Sequence, residues 1–170
     1  MKRTLYILYI LLIVLVFIPK EKIFYTIESY LAQEHIYITD ETLNDRLVFL
    51  DVQNARIVLD NLEVASVENI RITPWIIFNR LSLTSVDVSS EYQTFFPGKI
   101  DEMELTYSIL HPLSIQIHAR GDFGQCRGAV DLMDQKVRVV FDATQELRKF
   151  PMLVYKLHRE EEGLVYESAY

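Results

Sequence analysis

One cysteine, Cys126, is all that this chain of 170 residues contains, so no intramolecular disulfide can staple it and its fold must be held by burial. The setting Gly124-Gln125-Cys126-Arg127-Gly128 reads as a polar turn carrying a tolerated thiol. Catalysis at a thiol needs a histidine base, and the spacing of His35, His111, His118 and His158 sets none of them beside it. Catalytic signatures are missing too: there is no P-loop, dinucleotide fingerprint, HExxH, nucleophile elbow or CxxC pattern. No two of the histidines stand at metal-ligand spacing, which leaves no expected metal or cofactor. His118, between Ile117 and Ala119, falls on the polar side of a strand. The carboxylate clusters Asp40-Glu41, Asp101-Glu102 and Glu160-Glu161-Glu162 fall in predicted turns. Acid–base work would need one of each group desolvated to raise its pKa. The expectation is therefore a protein that is not an enzyme. Clustered positive charge is also missing: the formal net charge is −7 and the basic residues are scattered, which excludes nucleic acid as a partner and argues against adhesion to anionic lipid by charge.

The chain does have one long uncharged run, Thr4 to Ile18, reading TLYILYILLIVLVFI. At about fifteen residues it is shorter than the roughly twenty that a helix needs to cross a bilayer core. Met1, the stems of Lys2 and Lys22, and Ile23-Phe24-Tyr25 can extend the apolar length, because lysine buries its carbon chain and keeps its ammonium among the headgroups. No A-x-A-like site follows the run, so the expectation is a retained transmembrane signal anchor over 1–20, not a cleaved signal peptide. Lys2 and Arg3 before the run face Lys20 and Lys22 after it; with so few residues ahead of the anchor, the expected layout is N-terminus inside and the remainder outside the cytoplasm.

Residues 21–35 form an expected amphipathic helix, with Ile23, Ile27, Tyr30 and Leu31 at helical spacing. It can continue the anchor, lie along the bilayer with Phe24 and Tyr25 at the interface, or cover the end of a sheet. From Ile36 the period changes to two. Val48-Leu50-Val52, Ala55-Ile57-Leu59, Leu62 to Val67, Ile70 to Thr73, Leu81-Leu83, Val86-Val88, Ile100 to Tyr107, Leu113 to Ala119, Val130-Leu132 and Val137-Val139-Phe141 read as short strands. Asp60-Asn61, Glu68-Asn69 and Asp134-Gln135 supply turn chemistry, Gly121, Gly124 and Gly128 mark a longer turn, and the slip near Thr84-Ser85 reads as a bulge. Pro74 to Asn79 fits a helical turn, with Trp75 expected in the core. Residues 89–99 read as a loop, Leu147 to His158 as a second helical patch broken by Pro151, and Gly163 to Tyr166 as the last strand. The expected fold is mainly β: a transmembrane helix, a short amphipathic helix, and a curved antiparallel β-meander forming one domain over 36–170.

A sheet with one apolar face must bury it against a helix, another sheet or an apolar ligand. Helix is scarce here, which leaves a self-closed sandwich or a groove for lipid chains. The groove would be lined by Val48, Leu50, Ile57, Leu59, Leu113, Ile115, Val137 and Val139; in a sealed core, function would pass to surface loops such as Tyr92 to Lys99. The layout of Thr4–Ile18, Lys22–Gln33 and Ile36–Phe78 resembles the N-terminal region of AsmA-like proteins and of the type II secretion protein N (GspN) family. VENIRITPWIIFNRLSLTSVDV looks like their strand, helical turn and Arg-Leu-x-Leu strand, and GQCRGAVDLMDQKVRVVF is similar to their repeated glycine-flanked hairpin. The chain is shorter than typical members and too short to cross a periplasm alone. The resemblance implies a non-enzymatic single-pass protein of a bacterial inner membrane with its C-terminal domain in the periplasm. It implies action through contacts with secretion or envelope-assembly proteins or, alternatively, binding and transfer of phospholipid.

Overall fold

A chain that reverses direction after each short strand lays every strand beside the one before it. The computed structural model describes residues 6, 7, 9, 10, 13, 19–75, 77–93, 96–142, 147–160 and 163–169, without the side chain of Arg148. Helix α1 (Lys20–Gln33) leads into β1 (Ile36–Thr39), β2 (Thr42–Asp45), β3 (Leu50–Leu59), β4 (Leu62–Pro74), β5 (Phe78–Val88) and β6 (Lys99–Ser108). There follow β7 (His111–Gly121), β8 (Gly124–Asp131), β9 (Lys136–Phe141), a 3-10 turn (Leu147–Lys149), α2 (Pro151–Tyr155), β10 (His158–Glu160) and β11 (Gly163–Ala169). All the strands join one antiparallel sheet in the order β1-β3-β4-β5-β6-β7-β8-β9-β11-β10, with β2 also on β3. The sheet is curved and not closed. β1 and β2 act as one edge strand interrupted at 40–41, since both run along β3. Only at the far edge does chain order fail: β11 returns beside β9 and leaves β10 outermost.

Four adjacent strands slip their alternation at one level. On β3 the apolar positions run Leu50, Val52, then Ala55; on β4 Ile72, Ile70, then Val67; on β5 Leu81, Leu83, then Val86; and on β6 Leu105, Met103, then Ile100. Asp40, Asn54 and Ser85 take the left-handed conformation along this row, with φ of 61°, 56° and 53°. A slip in one strand alone would send half its apolar side chains to the wrong face. Matched slips keep a single apolar face and crease the sheet. The break expected between Val52 and Ala55 and the turn expected at Glu68-Asn69 are therefore part of this crease, inside continuous strands. The slip expected near Thr84-Ser85 is present but is not a bulge: β5 keeps its register with β4 and β6 across it, and on β3 the register shifts between Ile57 and Val58 instead.

Helix α1 lies over the first strands. Phe24, 2% exposed, enters a core with Leu50, Val52, Ala55, Val67, Ile70 and Ile72, a burial worth about 2–3 kcal/mol for the ring. Ile27 and Tyr30, expected on the buried stripe, are exposed; of the three placements open to this helix, the burial of Phe24 shows that it covers the end of the sheet. The ammonium of Lys20 is buried and sits 3.0 Å from the Asp45 carboxylate, which fixes the start of the helix to the end of β2. At the other end the N–H groups of Glu34 and His35 donate to the carbonyls of Leu31 and Ala32, and His35 with φ 60° turns the chain into β1.

Other expectations are corrected. Pro74 to Asn79 is not a helical turn: Pro74 ends β4 and pairs with Asn79, and the N–H of Trp75 donates to Phe78 O at 2.9 Å across a hairpin. Trp75 is 38% exposed and stacked on Phe78, not core. Only 122–123 form the turn expected through Gly121, Gly124 and Gly128; Cys126 is in β8. Asp101-Glu102 lies within β6 and not in a turn. The patch 147–158 is a 3-10 turn, a short helix and then β10, and the last strand runs on to Ala169. The anchor segment falls largely outside the described residues. Its residues 6, 7, 9, 10 and 13 are helical, and among the described residues no helix is long and apolar enough to cross a membrane.

Candidate functional site

Residues directly opposite each other on neighbouring strands point to the same side of a sheet, so the register traces one face from edge to edge. Leu50 lies against Ile72, Ile72 against Leu81, Leu81 against Leu105, and Leu105 against Ile117. Ile117 faces Gly128, and Gly128 faces Val139. The row above runs through Val52, Ile70, Leu83, Met103, Ala119, Cys126 and Phe141. Nothing charged interrupts either row.

Coverage of this face is uneven. Over β3 and β4 the side chains are sealed, with Leu50 and Val52 at 0% exposure. Among the described residues, extensive contacts run only between strands adjacent in the sheet, from α1 to β1, β2 and β4, and between the 3-10 turn and α2. On β5 and at the start of β6 the core around Phe24 still reaches Val86, Leu81, Leu83 and Ile100, and Ile117 is buried, whereas Met103, Leu105, Tyr107 and Ile115 are half-buried. The sheet curls toward this side. A Cβ built on Gly128 would run into Arg138 O and lie 2.9 Å from Val139 Cα, so the backbone of β9 folds over the apolar face at a point where only glycine fits. The result is a concave apolar surface over β5–β9.

Of the residues expected to line a groove, Leu50, Ile57, Ile115, Val137 and Val139 share this face. Leu50 and Ile57 belong to the covered end, while Ile115, Val137 and Val139 belong to the uncovered stretch. Leu113 is 48% exposed at the start of β7. Val48 precedes β3 in the turn from β2, and Leu59 lies past the register shift between Ile57 and Val58. Met103 and Leu105 lie on the same face, signalled by the same alternation in Ile100 to Tyr107.

The opposite face is polar over β3–β8 and carries the buried Val140 and Val165 on β9 and β11. Asp51 faces Arg71, and the guanidinium donates to both carboxylate oxygens at 2.7 and 3.3 Å while lying 4.3 Å over the Phe49 ring. The hydrogen bond to Asp51 raises the Arg71 pKa further above its ordinary value. Glu104, His118 and Arg127 are directly opposed on β6, β7 and β8, with Arg80 3.4 Å from Glu104. A depression of about 440 Å³ is lined by Glu102, Glu104, His118, Arg120, Arg127 and Asp142. Its charges alternate in sign and are opposed across strands, as on a solvated face. His118 does lie on this polar side. No group of histidine, cysteine or carboxylate side chains that could hold a metal ion occurs among the described residues. Cys126 points to the apolar side, where burial pushes its thiol up to about 11 against the aid of a backbone hydrogen bond from Ala119. A thiol so protonated is a poor nucleophile at neutral pH.

No protein family, curated protein or solved structure matches this chain.

Proposed function

We propose that this protein is a membrane-anchored, non-catalytic lipid-handling module in which the concave apolar face of β5–β9 receives acyl chains. One observation carries the reading: a continuous apolar face spans the sheet while, among the described residues, its covering helix contacts β1, β2 and β4 and the core it joins extends no further than β5 and the start of β6. An uncovered apolar surface of this extent is disfavoured in water unless something apolar occupies it. The uncharged run Thr4–Ile18 supports the anchor, and Tyr6, Ile7, Tyr9 and Ile10 within it are helical and 58–69% exposed, so the β-domain does not cover them. The resemblance to AsmA-like proteins points the same way, to a bacterial inner membrane with residues beyond the anchor in the periplasm. The reading as a type II secretion protein N-like factor working through protein contacts predicts a protein in that concavity.

Site-specific photocrosslinking in the full-length, membrane-embedded protein separates the two. A benzophenone side chain at Leu105 or Ile115, on the apolar face, is expected to capture phospholipid, and one at Gln116, on the other face, to capture none. Protein adducts at Leu105 and Ile115 would replace the lipid reading with the protein-contact one.

A further inference from the structure

Successive antiparallel strands send alternate turns to opposite ends of a sheet. At one end stand the β2–β3, β4–β5, β6–β7 and β8–β9 turns. The same end receives the start of α1, because Lys20 is held by Asp45, the last residue of β2. The tips here are apolar and exposed: Leu47 by 65%, Ile77 by 54%, Leu110 by 73% and Met133 by 70%, with Trp75 at 38%. At the other end the hairpin tips are Asp60-Asn61, Ser90-Glu91 and Asp122, and Phe123 is turned inward; Leu62 and Phe96, and Met152 and Tyr155 on the connection that follows β9, are the exposed exceptions.

Turns are served best by Asn, Asp, Gly and Ser, so hairpin closure gives no reason for an apolar tip on one turn after another. The tips are also joined. The N–H of Ile109 donates to Ile77 O at 3.0 Å, linking the β4–β5 and β6–β7 turns, and the N–H of Leu132 donates to Leu113 O at 2.9 Å, linking the β8–β9 turn to β7. Asp131 Oδ1 accepts from the N–H groups of Met133 and Asp134, which fixes the tip that presents Met133. Together they form a braced apolar rim.

What meets the rim is indicated by the chain that arrives there. Residue 19 connects α1 to the fifteen-residue uncharged run Thr4–Ile18, so the apolar medium that takes the run lies at this end of the sheet. The geometry points to the rim as a lipid-contact surface, on which the sheet stands with its strands directed away from the bilayer. Trp75, stacked on Phe78 at 5.5 Å, is the residue type best suited to the headgroup boundary. The concave face of β5–β9 then opens at its foot onto lipid. The rim does not depend on that face binding anything, so it stands or falls separately from the proposed acyl-chain site.

Trp75 is the chain's single tryptophan and reports its own surroundings. The full-length protein is placed in phosphatidylcholine vesicles with or without bromine on the acyl chains. Brominated lipid is expected to quench most of the Trp75 emission, and the double variant Leu110→Asp/Met133→Asp, folded by circular dichroism, to lose most of that quenching. Leu47→Asp, on a separate turn, provides the same comparison if the double variant does not fold, with a smaller loss expected. Emission indifferent to brominated lipid but quenched by aqueous iodide would overturn the inference. Emission shielded from both would overturn it in favour of a protein partner or a second copy. Quenching unchanged in the charged-tip variants would also overturn it, leaving Trp75 inserted alone.

Discussion

The two halves of the sheet carry the same apolar alternation and differ in what lies on it. Over β3 and β4, α1 contributes Phe24 and seals Leu50 and Val52 completely. Over β6 and β7, Met103, Leu105 and Ile115 stand at equivalent positions on the same face and stay half-buried. Alternation decides which way a side chain points, and a second layer decides whether it is removed from water. A core and a binding surface can therefore be written in the same sequence pattern.

The sharpest way to break this comparison is to truncate one residue in each half. Leu50→Ala is expected to destabilise the protein by about 3–4 kcal/mol and Leu105→Ala by about 1 kcal/mol, since only the first leaves a closed cavity. Equal losses in denaturant titrations would mean that the second half is covered as well. Gly128→Ala attacks the curl, because the added Cβ meets the β9 backbone and not a flexible side chain. A loss of about 2–3 kcal/mol is expected, accompanied by weaker lipid capture at Ile115; unchanged capture would show that the curvature is dispensable. Lys20→Ala leaves the Asp45 carboxylate, 40% exposed, without its buried partner. It is expected to cost about 2 kcal/mol and to speed hydrogen exchange in α1 while β6–β8 stay protected.

The smallest expected effect concerns Cys126. Its folded pKa, raised to about 11 by burial, exceeds the ordinary value of 9.0. Below about pH 9 both folded and unfolded thiols hold their protons and stability is unaffected. Between pH 9 and 11 the unfolded thiol ionises first, so stability falls as pH rises, by about 1–2 kcal/mol. Cys126→Ser should remove that part of the alkaline loss, and a wild-type curve superimposable on the variant's would contradict the assigned burial.

Much of the sheet was legible from residue types. The alternation of Val137-Val139-Phe141 and the polar setting of His118 follow from period two alone. The crease was not legible as a unit, because each slip looks like a break when its strand is read by itself. Asn54 and Ser85 are turn formers and read as punctuation; only the neighbouring strands reveal that their left-handed conformations fall in one row. Glycines misled in the same way. Gly124, Gly128 and the cysteine between them suggested a turn, yet Gly128 is needed for the close approach of β9 and sits mid-strand. Trp75 was expected in the core because large aromatic rings usually are; hairpin geometry put it on a tip. Coverage of the groove was outside the reach of alternation altogether, since it depends on how far α1 extends across the sheet.

The order of the strands also bears on how the molecule is made. From β3 to β9 every strand pairs with a predecessor already present, so each pairing closes only a short loop and contact order is low for so large a sheet. A chain delivered N-terminus first could add each hairpin to a growing template before the next arrives. The last step differs: β11 must find β9 past the crossover of 142–157 and β10, so completion waits for the end of the chain.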